Sequence, residues 1–126
     1  MPTDASLREW FEEATWFDVM RAHPQECRAA GHWAMVSGFA GAPWLDTAAP
    51  QPVPALEERL AALDVPVLLI NGEHELEDFK LGADRIERAL PDVQRYAVPE
   101  GGGFALWEYP EQVNPRVNEF LHGLRQ

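Results

Sequence analysis

At 126 residues the chain is long enough for one domain, burying roughly two-thirds of its unfolded surface. Hydrophobic residues make up 46% and charged residues 25%, which is ordinary for a soluble globular protein. The formal net charge of -11 would be repelled by phosphate backbones and anionic lipid, so it argues against nucleic acid and against a membrane as partners.

Asp4 or Ser6 can cap a first helix, with Glu9 three residues after Ser6 as in a capping box. Leu7, Trp10, Phe11, Ala14, Phe17 and Met20 then recur at steps of one, three and four residues, which predicts one amphipathic helix. A second, Ala-rich helix is predicted over residues 25–38, opened near Pro24 and broken by Gly38, Gly41 and Pro43. Residues 43–54 hold Pro43, Pro50, Pro52 and Pro54 and read as a loop or tether. Pro54 opens a short helix over residues 55–63, with Leu56, Leu60 and Leu63 on one face.

Residues 65–71, VPVLLIN, form the strongest strand in the sequence. The run is almost continuously apolar, which predicts burial on both faces and a parallel sheet. A helix over 78–90 follows and stops at Pro91, then a second strand over 93–98. The glycines 101–103 turn the chain into a last helix over 110–124, with a bend expected at Pro115. The order is strand, helix, strand, helix: a βαβα unit in an α/β fold. Two regions result, a helical segment with its proline-rich tether over 1–54 and the βαβα core over 55–126.

Cys27 is the single cysteine, so an internal disulfide and a Cys-based metal site are both excluded, and a reducing cytoplasm suits it. The first ten residues carry Asp4 and Glu9 and no apolar stretch of the kind a signal peptide has. No apolar run approaches the roughly 20 residues of a membrane span.

The C-terminal half resembles the last third of the α/β-hydrolases. The segment DVPVLLINGEHE is similar to the family's strand ending in Gly-x-x-Asp, where the acid of the catalytic triad sits; here Glu75 stands three residues after Gly72. The segment VPEGGGFALWEYPEQVNPRVNEFL is similar to the stretch that reads Gly-His-Phe, then an acidic residue and proline, then the final helix. Phe104, Trp107, Glu108, Pro110, Val113 and Asn114 fall at the family's spacing. The tail particularly resembles meta-cleavage-product C–C hydrolases and epoxide-hydrolase-like members. The N-terminal region looks more loosely like the end of a helical cap domain. The resemblance therefore implies a truncated α/β-hydrolase-like βαβα unit preceded by a cap-like segment.

The same comparison removes the family's chemistry. Gly103 occupies the place of the catalytic histidine, and glycine offers no base. No Gly-x-Ser-x-Gly occurs; Ser37, one of two serines, is flanked by Met35 and Phe39 where glycines belong. No serine-hydrolase activity is expected from this chain alone.

Candidate site residues follow from these positions. Glu75 is a relict triad acid or a surface carboxylate in the acidic group Glu73, Glu75, Glu77 and Asp78; His74 beside it is an acid or base, or simply exposed. Trp33, Phe39 and Trp44 could line an apolar pocket as cap residues do, although packing is the plainer role. Gly103, Phe104 and Trp107 join them as candidate ligand contacts, and the glycine run is a simple turn or an anion cradle. His23, His32 and His122 lack the mutual spacing of metal ligands, so no metal is expected, and nothing calls for a cofactor.

Two parallel strands make too small a sheet, and the apolar strand invites another chain to its edge. Three functions are open. The chain can be a homo-oligomer that binds a small hydrophobic molecule or acts on it by positioning. It can be one half of a split hydrolase whose complementary half carries the nucleophile. It can be an inert structural or regulatory piece. The first is preferred.

Overall fold

The computed structural model describes residues 4–22, 31, 33–35, 37, 38, 49 and 51–125. Two compact units divide the chain, Met1–Pro52 and Val53–Gln126.

In the first unit the predicted single helix is broken. Helix α1 spans Asp4–Glu13; Ala14 is extended (φ -70°, ψ 127°), and a 3-10 turn (Thr15–Phe17) and a short helix α2 (Asp18–Arg21) follow. The break lets Phe17 fold back onto the face that Leu7 and Phe11 present, and all three are buried together with Met20. Phe17 meets Trp10 edge-on with ring centroids 4.8 Å apart, and it meets Phe11 at 5.1 Å. A straight helix would hold these rings along one stripe; the turn stacks them into a cluster. Arg21 donates to the carbonyl of Ala14 at 2.9 Å and pairs with Asp18, which closes the turn. Of the predicted second helix, residues 31, 33–35, 37 and 38 are described, and they are helical. Phe39 and Trp44 lie outside the described residues.

In the second unit, Pro54 and the left-handed Ala55 (φ 52°) lead into helix α3, Leu56–Ala61, shorter than the sequence predicts. Strand β1 is Val67–Gly72, helix α4 Glu77–Ala89 and strand β2 Val93–Val98. A short helix α5 (Ala105–Glu108), absent from the sequence reading, precedes α6, Pro110–Gly123, which runs through Pro115. β1 starts at Val67 because Pro66 has no N–H to give a ladder.

The two strands pair in parallel with Val67 opposite Val93 and Gly72 opposite Val98, and among the described residues the sheet has these two strands. Alternation sets the faces. Arg95 reaches Asp84 and Glu87 on α4, while Arg116 of α6 lies over the Tyr96 ring at 4.8 Å, so α4 and α6 cover opposite faces. The core is small: Val98, Ala105 and Val113 are buried, ringed by Ile70, Tyr96, Tyr109 and Val117. The expected two-sided burial of β1 is not seen. Val67 to Asn71 are each only half-buried, because a two-stranded sheet supplies cover along one edge and leaves the other open.

Candidate functional site

In α/β folds the groups that act on ligands gather beyond the carboxyl ends of parallel strands. Here those ends are Gly72 and Val98, and the loops that leave them are laced together. The N–H of Glu73 donates to the carbonyl of Val98 at 3.0 Å, and the N–H of His74 donates to Gly101 at 2.7 Å. Gly72 allows this approach: a β-carbon there would overlap the carbonyl oxygens of both Gly101 and Gly102. No other residue type brings the two backbones so close.

Into this junction points Glu108, whose side chain is 0% exposed. Its Oε1 accepts a hydrogen bond from the N–H of Gly102 at 2.7 Å. Burial pushes its carboxyl above the ordinary glutamate range, and the charge of Glu75 adds to the rise; backbone N–H groups of Gly102 and Phe104 pull the other way. A carboxylate is thus spent on shaping the glycine turn. The family-like spacing pointed to an acidic residue at this position, but nothing in the sequence signalled its complete burial.

Glu75, half-buried, turns one carboxylate oxygen onto the N–H of its neighbour Leu76 at 3.0 Å. His74 is exposed, with Nε2 3.6 Å from a carboxylate oxygen of Glu100. Glu73 in turn accepts from the N–H of Glu100 at 3.4 Å. Glu73 and Glu100 were not singled out in sequence as partners of His74; they lie 27 residues apart and meet only through the register of β1 and β2. Gly103 is half-buried where the glycine turn enters α5, and on that helix Leu106 and Trp107 remain 58% and 50% exposed. Asn71 Oδ1 is buried with no hydrogen-bond partner among the described residues.

His74 and Glu75 thus follow β1 and Gly103, Phe104 and Trp107 follow β2, on loops that the Glu73–Val98 and His74–Gly101 hydrogen bonds join. Trp33 belongs to the other unit, where the Arg8 guanidinium lies 3.9 Å from its ring centroid and Phe11 packs at 5.7 Å; both contacts are of the kind a packing residue makes. A cleft of about 430 Å³ opens at the opposite, amino-terminal ends of the strands, beside Pro66, Asp92, Arg116 and Phe120. It is remote from the loops and holds none of these residues. Chemically, the strand-end site offers carboxylates, an imidazole and exposed apolar surface, and at Gly103 no side chain at all.

No helix among the described residues is long and apolar enough to cross a membrane. No family model matches the chain, and no solved structure matches it. Among curated proteins, Carboxylesterase YbfK of Bacillus subtilis (strain 168) is 37% identical over 68 residues. The match takes in 53% of this chain, which spans about a quarter (23%) of the length of that carboxylesterase. The partial likeness to a carboxylesterase and the mixed helix and parallel-strand architecture agree with an α/β, hydrolase-like origin.

Proposed function

We propose that this chain is a hydrolase-derived α/β protein that does not hydrolyse esters by itself and holds a small apolar molecule beyond the carboxyl ends of β1 and β2. The observation that carries the reading is Gly103. It follows Gly102, whose N–H donates to the buried Glu108 in the loop that leaves β2, and it supplies no base to draw a proton from a nucleophile. The half-exposed Trp107 and Leu106 flank it and give the apolar contact surface. A molecule held there would be oriented by apolar contact and by the carboxylates, and any catalysis would come from positioning. The half-buried β1 supports assembly into a homo-oligomer, in which a second copy covers the open edge.

p-Nitrophenyl butyrate tests both parts, because it is an ester and its nitrophenyl ring quenches tryptophan. The expected result is no turnover above that of Glu75→Gln, with saturable quenching that Trp107→Leu weakens. Turnover that Glu75→Gln abolishes would establish a working acid and sink the proposal. Quenching that is linear, or untouched by Trp107→Leu, would remove the binding half of it.

The same half-buried strand favours a second reading, in which a different polypeptide bearing Gly-x-Ser-x-Gly completes the sheet. Light scattering separates the two. A folded dimer or larger assembly supports self-association, and a monomer with weak far-ultraviolet ellipticity supports the missing partner.

A further inference from the structure

We propose that Glu73, His74 and Glu100 form a binding site for one divalent transition-metal ion, with zinc as the fitting member of that class. One imidazole nitrogen with two carboxylate oxygens is a donor set that zinc and manganese accept, whereas magnesium and calcium prefer oxygen alone. The three donor atoms lie within 4.8 Å of one another. His74 Nε2 and the nearest Glu100 oxygen are 3.6 Å apart, close to the ~3.4 Å that separates two ligands each about 2.1 Å from a tetrahedral ion. The remaining gap closes by rotation of glutamate side chains, which are exposed and unconstrained in length.

Surface carboxylates are common without a metal; what sets this group apart is the imidazole and the backbone hydrogen bonds that join the two loops carrying it. The His74 N–H is tied to Gly101, the Glu73 N–H to Val98, and the Glu100 N–H to the Glu73 carboxylate. Ligands from both strand-end loops are therefore carried on backbone segments that hydrogen bonds hold side by side. The net charge of -11 raises the local concentration of cations around it. Three protein ligands on two exposed loops leave a fourth position for water or an added ligand. The site goes beyond the apolar-ligand reading and does not depend on it.

The test uses the full chain, stripped with chelator and titrated with zinc chloride in a calorimeter and against a chromophoric chelator. One equivalent should bind with a Kd in the micromolar range. His74→Ala should weaken it by at least about tenfold, the least that losing even an outer-shell partner costs, and Glu100→Gln should weaken it clearly too. Circular dichroism of both variants checks that these exposed substitutions leave the fold intact. Absence of binding at about a hundredfold excess over the micromolar range would overturn the proposal. So would an affinity that neither substitution changes, since the zinc would then be held by other residues. Repeating the ester quenching in the presence of chelator keeps the two readings apart: its result tests the apolar site alone.

Discussion

The two units solve the same problem of a small core by different means. In the N-terminal unit, four large side chains that fall within 14 residues of sequence, Leu7, Phe11, Phe17 and Met20, become buried. Side-chain volume closes that core, helped by the break at Ala14. In the C-terminal unit the fully buried apolar side chains at the centre are Val98, Ala105 and Val113, of modest size, and the tightest packing is backbone on backbone at Gly72. One unit is held by what its side chains fill, the other by what a missing side chain permits. A large-to-small change should hurt the first, and a small-to-large change the second.

Phe17→Ala and Gly72→Ala put that contrast to its strongest test. Removing the fully buried Phe17 ring should cost about 3–5 kcal/mol through lost transfer energy and a cavity. Adding one carbon at Gly72 should cost a similar amount, on the order of 3 kcal/mol, because the obstacle is the Gly101 and Gly102 carbonyls and not a flexible side chain. Urea unfolding followed by circular dichroism reads both. If Gly72→Ala cost less than about 1 kcal/mol, the loops could part cheaply and backbone proximity would not be what organises the strand ends.

Glu108 comes next. Glu108→Leu leaves the Gly102 N–H without its acceptor, an expected loss of roughly 1–3 kcal/mol. Glu108→Gln keeps an acceptor and should lose less. The pH dependence has a definite sign. The folded-state value lies above the ordinary 4.5, so the folded state holds its proton more tightly than the unfolded state. The stability this gives is fully present below the ordinary glutamate value and is lost as pH rises through the raised one. Urea midpoints of the unmodified chain should therefore fall across that window, and those of Glu108→Gln should fall less. Parallel curves for the two proteins would show that Glu108 titrates as an exposed glutamate does.

Some of this could be read from residue types and some could not. The apolar run before Gly72, the strand before Pro99 and the helix opened by Pro110 announce themselves by local pattern, and all three elements form with boundaries shifted by at most two residues. What was lost depends on three dimensions. Ala14 carries no helix-breaking signal, since alanine favours helix; the break goes with tertiary contacts, Phe17 packing on Phe11 and Trp10 and Arg21 donating to the Ala14 carbonyl. Burial of β1 was overread because an apolar run reports what a strand can bury, not what neighbours it has. Glu73, His74 and Glu100 converge through strand register, which no local window contains.

The smallest effects compare two arginines within the C-terminal unit. Arg95 rises from β2 to pair with Asp84 and Glu87 on α4, with 22% of its side chain exposed, and both partners hold its guanidinium pKa above the ordinary value. Arg85 pairs with Glu57 of α3 while both side chains stay more than half exposed. Two partners and partial burial should make Arg95→Met cost about 1 kcal/mol, some of it lost packing of the arginine stem over the sheet. Arg85→Gln should change stability by no more than a few tenths of a kcal/mol, because water and salt screen the pair and ordering two long side chains offsets what remains. Raising sodium chloride to about 1 M should erase the Arg85 effect and leave most of the Arg95 effect. Equal salt sensitivity would mean that Arg95 is as solvated as Arg85, and that α4 is held on the sheet by its apolar residues alone.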